Sequence, residues 1–117
     1  MSSKLSAKDF ILLLLNSDNK KPIKGNLFFQ KEMFLIVEEV YNELREELQF
    51  KAYDYGLYSQ ILVNILRELC NDSLVNFEDS ESNVYSITKE GQNYLKNIKF
   101  PEGIEKKLVI LKEDLIN

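Results

Sequence analysis

Residues 53–87 read YDYGLYSQILVNILRELCNDSLVNFEDSESNVYSI, and the succession of patterns within them decides the fold. Tyr58, Ile61, Leu62, Ile65, Leu66 and Leu69 recur at helical spacing and make one apolar stripe. Ser59, Gln60, Val63, Asn64, Arg67 and Glu68 lie off that stripe. After Cys70 the period changes. Residues 74–77 and 84–87 are short apolar-rich runs containing β-branched and aromatic side chains. Residues 78–83 between them are all polar and prone to turn. Turn, helix, strand, polar tip and strand in this order predict an α+β, mostly helical fold. Its specific form is a winged helix-turn-helix, with the hairpin at about residues 74–87 as a two-stranded wing.

Working upstream, Gly56 is free to take positive φ and end the Asp54-Tyr55-Gly56 turn, and residues 50–53 alternate as an extended segment. Apolar residues at helical spacing from Leu27 to Leu48 predict one long helix capped by Asn26. Glu38, Glu39, Glu43, Glu46 and Glu47 form its solvated acidic face. Residues 20–25 are a polar connector in which Pro22 removes a donor, with Ile23 as an apolar anchor for a short strand. Ser6 and Asp9 have the spacing of a capping box ahead of a helix through residues 10–15, which residues 16–19 end. That helix is apolar nearly all round, which places it in the centre of the core or between two chains.

Downstream, Thr88 caps a helix that turns Tyr94, Leu95 and Ile98 inward, and residues 100–103 break it. A last helix, at about residues 102–116, carries Ile104, Leu108, Leu111 and Leu115 as a heptad-like seam. The whole, residues 1–117, reads as one winged-helix domain with its core at about 6–98. The seam and the first helix predict a homodimer.

Composition narrows the chemistry. The chain has 117 residues, 44% of them apolar and 29% charged, within the ordinary range of a globular domain. It has no His, which removes the commonest general base and metal ligand. Cys70 is the only cysteine, so neither an intramolecular disulfide nor a cysteine metal cluster can form, and the residue reads as a small buried hydrophobe. No glycine-rich phosphate loop or calcium-loop spacing occurs. These absences predict a protein that is not an enzyme, with no cofactor and no metal. The longest apolar run, residues 10–15, is too short to span a bilayer or to form a signal-peptide core. The expected location is cytoplasmic, away from membranes.

Several short motifs stand together: Pro22-Ile23-Lys24-Gly25, Phe29-Gln30-Lys31, Phe34-Leu35, Tyr53-Asp54-Tyr55-Gly56-Leu57-Tyr58-Ser59, Leu74-Val75 and Tyr85-Ser86-Ile87-Thr88-Lys89-Glu90-Gly91. From about residue 21 to 94 this order resembles the poorly characterised archaeal and bacterial winged-helix proteins of the YwgA-like kind. A looser similarity extends to Panacea-type antitoxin domains. Leu57 stands where that family commonly has proline, Phe29 where it has leucine, and Ser73-Leu74-Val75 where it has a glycine-containing run. The resemblance implies a winged-helix fold and a DNA-binding or regulatory role.

Two functional expectations follow. In a helix-turn-helix the second helix enters the major groove. Gln60, Asn64 and Arg67 fall on one face of that helix, where Gln and Asn pair with adenine and Arg with guanine. Ser59 at its N-terminus is a candidate phosphate contact, as are Lys20, Lys21, Lys24 and Lys51. Such a protein would be a transcriptional regulator or accessory factor with duplex DNA as its partner. The charge favours a different partner. Net charge is -4, and residues 59–87 set Arg67 alone against Glu68, Asp72, Glu78, Asp79 and Glu81. Phosphates repel an acidic wing. The alternative is therefore a protein-protein interaction module, antitoxin-like or a complex subunit, in which Glu78, Asp79 and Glu81 meet a basic partner.

Overall fold

The computed structural model describes residues 5–53, 56–79 and 83–116, without the side chains of Asp79 and residues 114–116. The architecture is α+β, with helices packed around a small antiparallel sheet.

Helix α1 (Ala7–Lys20) starts at the expected capping box. The Ser6 hydroxyl accepts from the Asp9 amide at 3.4 Å, and Asp9 Oδ2 accepts from the Ser6 amide at 2.9 Å. Regular helical geometry ends at Asn16, since Ser17 is extended and Asp18 and Asn19 have positive φ. Ala7 and residues 10–15 are buried, and α1 packs against helices on several sides as well as the sheet. Of the two placements its all-round apolarity allows, the centre of the core is the one observed.

Strand β1 (Ile23–Lys24) follows, then α2 (Asn26–Glu39) and α3 (Leu44–Leu48). The single helix expected through Leu48 is therefore broken at residues 40–43. Val40 swings to φ -118°, and the Tyr41 amide reaches back to the Ile36 carbonyl at 2.8 Å. This lays the Tyr41 ring on Phe10, with centroids 4.9 Å apart. Leu44 and Leu48 still reach the core, so helical spacing persists across a break that it cannot reveal. Glu47 is also more than a solvated charge: its Oε1 accepts from the Ala7 amide at 2.9 Å, at the positive end of α1. Asn26 is the first helical residue of α2 and not its cap. Gly25 holds the cap position at φ +86°, a conformation open to glycine at little cost.

Strands β2 (Lys51–Tyr53) and β3 (Gly56–Tyr58) form a separate two-stranded ribbon. Gly56 sits at φ +112° opposite Tyr53. Tyr58 consequently belongs to a strand and not to the helical stripe. Helix α4 (Gln60–Asn71) buries Leu62, Leu66 and Leu69.

The expected hairpin is present as β4 (Val75–Asp79) and β5 (Asn83–Ile87). Strand β1 adds to the other side of β5, giving the order β1-β5-β4. Register places Ile23, Tyr85 and Phe77 in one cross-strand row and Lys24, Val84 and Glu78 in the next. Successive residues of a strand face opposite sides, so these rows lie on opposite faces.

Helix α5 (Lys89–Leu95) starts at Thr88, whose Oγ1 accepts from the Gly91 amide at 3.0 Å and donates to the Ser73 carbonyl at 2.7 Å. A Cβ on Gly91 would fall 2.4 Å from the Leu74 carbonyl oxygen, so glycine lets α5 sit on the hairpin base. In α6 (Ile104–Ile116), Ile104, Leu108 and Leu111 are buried in their own chain, where the helix packs on α1 and α2. The seam read as a dimer face is thus covered internally at these three positions. The Leu115 side chain lies outside the described residues.

Candidate functional site

Helix α4 is fixed from beneath by a polar clasp. The Ser59 amide donates to Gln30 Oε1 at 2.8 Å, and Gln30 Nε2 donates to the Ser59 carbonyl at 3.0 Å. The Ser59 hydroxyl accepts from the Leu62 amide at 3.0 Å and donates to the Leu48 carbonyl. Ser59 and Gln30 are both buried, with every one of these polar groups satisfied. Ser59 is therefore a structural N-cap and not the surface phosphate contact expected of it. The clasp also joins the Phe29-Gln30-Lys31 and Tyr53–Ser59 motifs, because the Gln amide matches both backbone groups of Ser59. The isolated sequence held no signal for that pairing beyond the Gln itself.

Gln60, Asn64 and Arg67 are exposed on the opposite side of α4 from its buried leucines. Gln60 Nε2 donates to Asn64 Oδ1 at 3.3 Å, a weak bond that leaves both amides able to exchange partners. Arg67 lines a shallow groove of about 270 Å³ between α4 and the sheet, together with Val63, Cys70, Phe77 and Tyr85. Phe77 is 37% exposed there and lies 4.9 Å from the Tyr85 ring, centroid to centroid. Burial pushes the Tyr85 phenol above its ordinary pKa of 10.0, while nearby Arg67 pulls it down. Burial likewise pushes the Cys70 thiol up, which disfavours the reactive thiolate.

The four lysines do not form one surface. Lys51 is exposed on β2 opposite Tyr58, one residue before the cap of α4. Lys20 and Lys21 are exposed where the chain leaves α1. Lys24 lies beside Val84 of β5, in the row facing away from the Phe77–Tyr85 face on which Arg67 sits. Sequence proximity had grouped Lys24 with α4; the pleat separates them. Glu78 is exposed in the same outward row as Lys24, one strand beyond Val84. The Asp79 side chain and Glu81 lie outside the described residues.

Among the described residues, no group of three or more His, Cys, Asp or Glu side chains is placed to hold a metal ion, and no helix is long and apolar enough to cross a membrane. Comparison with family models, curated proteins and solved structures gave no match to this chain.

Proposed function

We propose that this chain is a non-catalytic winged helix-turn-helix protein, a small transcriptional regulator or accessory factor that presents α4 to duplex DNA. The observation that carries the reading is the exposed row Gln60, Asn64 and Arg67 on a helix whose other face is clamped by Leu62, Leu66 and Leu69. The clasp from Gln30 supports it, because a rigid base aims side chains better than a loop does. The strand order β1-β5-β4 beside helices α1, α2 and α4 suits a winged-helix arrangement. Arg67 pairs with guanine and the two amides with adenine. Lys51, next to the start of α4, takes a phosphate.

A second reading, a protein-binding wing, is favoured by charge. Arg67 is the one cation in the sequence of residues 59–87, against five carboxylates. One experiment separates the two. Random duplexes are selected at low salt, and pull-downs use the wild type and a Glu78→Lys/Glu81→Lys variant. An enriched sequence whose binding survives the reversal supports the regulator. No enrichment, with a protein partner lost on reversal, assigns the wing to a basic partner and sinks the DNA reading.

A further inference from the structure

The groove beside Arg67 has a chemistry that base pairing does not use. On α4 its wall is one stripe at helical spacing: Val63, Leu66, Arg67, Cys70 and Asn71. On the sheet it is the cross-strand pair Phe77 and Tyr85. Val63, Leu66, Cys70 and the two rings make it mostly apolar. At about 270 Å³ it falls just below the range of small-molecule sites, about 300–1,000 Å³, which suits a ligand built on a single ring. The exposed Phe77 ring is tilted 41° to that of Tyr85, so a third ring has an aromatic face or edge to pack on.

Arg67 is the polar anchor. Among the described residues, no hydrogen bond or ion pair engages its guanidinium. Asn71, one helical turn further along, lines the same groove and is also exposed. The guanidinium fork matches a carboxylate with two parallel N–H···O bonds, and the Asn71 amide adds a third donor. Neither Glu68 nor Asp72 lines the groove, and Glu78 belongs to the row on the other face of the sheet. Burial keeps the Tyr85 phenol protonated at neutral pH, so no phenolate repels an anion there.

We infer that this groove binds a small aromatic monocarboxylate, its acid group on Arg67 and Asn71 and its ring against Phe77, Tyr85 and Val63. An aromatic amine meets Arg67 as a like charge, and an unbranched aliphatic acid forgoes the ring contacts. Occupancy draws the Arg67 guanidinium away from a guanine, so the ligand is a release signal for DNA. That consequence alone rests on the reading of α4 as a DNA-binding helix.

The test is an NMR titration of the full chain with 3-phenylpropanoate, with 3-phenylpropylamine and hexanoate as controls. Phenylpropanoate shifts the Val63 and Leu66 methyl resonances saturably, and both controls bind more weakly. Arg67→Gln weakens phenylpropanoate about tenfold, by loss of the charge-assisted pair. Lys106→Gln, the same change of net charge at an exposed position of α6, leaves the affinity unchanged. Phe77→Ala weakens binding as well. The Arg67 side chain is exposed, so Arg67→Gln keeps the wild-type fold by circular dichroism and carries the test even where Phe77→Ala does not fold. Absence of saturable shifts overturns the inference. So does a control binding as tightly as phenylpropanoate, or an affinity unchanged in Arg67→Gln. In a second arm, phenylpropanoate displaces a duplex selected from random sequences. A duplex that stays bound at saturating ligand overturns the release role and leaves the DNA reading standing. Failure to select any duplex sinks the DNA reading and leaves the ligand site standing.

Discussion

Lys112 is the most consequential buried charge in the fold, and replacing it with methionine tests how it is held. Its ammonium donates to the Leu14 and Ser17 carbonyls, each at 2.9 Å, where the chain leaves the regular part of α1. Those carbonyls lie at the negative end of the helix, so a cation there caps α1 from a helix far away in sequence. The residue is fully buried. Burial lowers its pKa from 10.5 to about 8, opposed by Asp18 and Glu32 and reinforced by Lys21. The unfolded chain keeps this proton up to 10.5 and the folded chain releases it near 8. Between those values the unfolded state binds more protons, so stability rises with pH. From pH 7 to 9.5 the gain from this one group is about 2 kcal/mol. Urea unfolding of wild type and Lys112→Met at half-unit pH steps measures it. Subtracting the two curves cancels Cys70, Tyr41, Tyr85 and Tyr94, whose raised pKa values act in the opposite direction. The wild type should gain on the variant steadily over that range. Parallel curves would refute the account, because they would mean that Lys112 titrates alike in both states.

Other consequences can be measured with the same protein. Gly91→Ala should cost about 1–3 kcal/mol by overpacking against the Leu74 carbonyl, read as a lower urea midpoint with unchanged slope. Gln30→Ala should cost about 2–4 kcal/mol, because it leaves the buried amide and carbonyl of Ser59 unpaired, whereas exposed Gln60→Ala should stay within about 0.5 kcal/mol. At a selected duplex, Arg67→Ala should weaken binding by about 1–3 kcal/mol, and affinity should fall only gently with salt; a steep slope in a salt titration would contradict the charge argument. Sedimentation equilibrium at high micromolar concentration should give the 13.7 kDa monomer, since Ile104, Leu108 and Leu111 are already covered by their own chain. A dimer would have to use another face, such as that of Ile110, which is 57% exposed.

What the sequence determined by itself was local. The Ser6–Asp9 and Thr88–Gly91 caps, the stripe of Leu62, Leu66 and Leu69 and the hairpin after Cys70 each depend on residues a few positions apart, where period and turn chemistry act directly. Tertiary structure decided the rest, because partners distant in the chain set it. A two-residue strand such as β1 has no period to read, and only its pairing with β5 turns Lys24 away from α4. The break at residues 40–43 depends on Phe10 offering a surface for Tyr41. Ser59 reads in the sequence as a candidate phosphate contact, but Gln30 and the Leu48 carbonyl close over it. Lys112, an ordinary charge within a helical pattern, became buried because the carbonyls of Leu14 and Ser17 met it across the core. Burial and charge pairing belong to the assembled chain, and for that reason the surface of this protein was less legible than its helices.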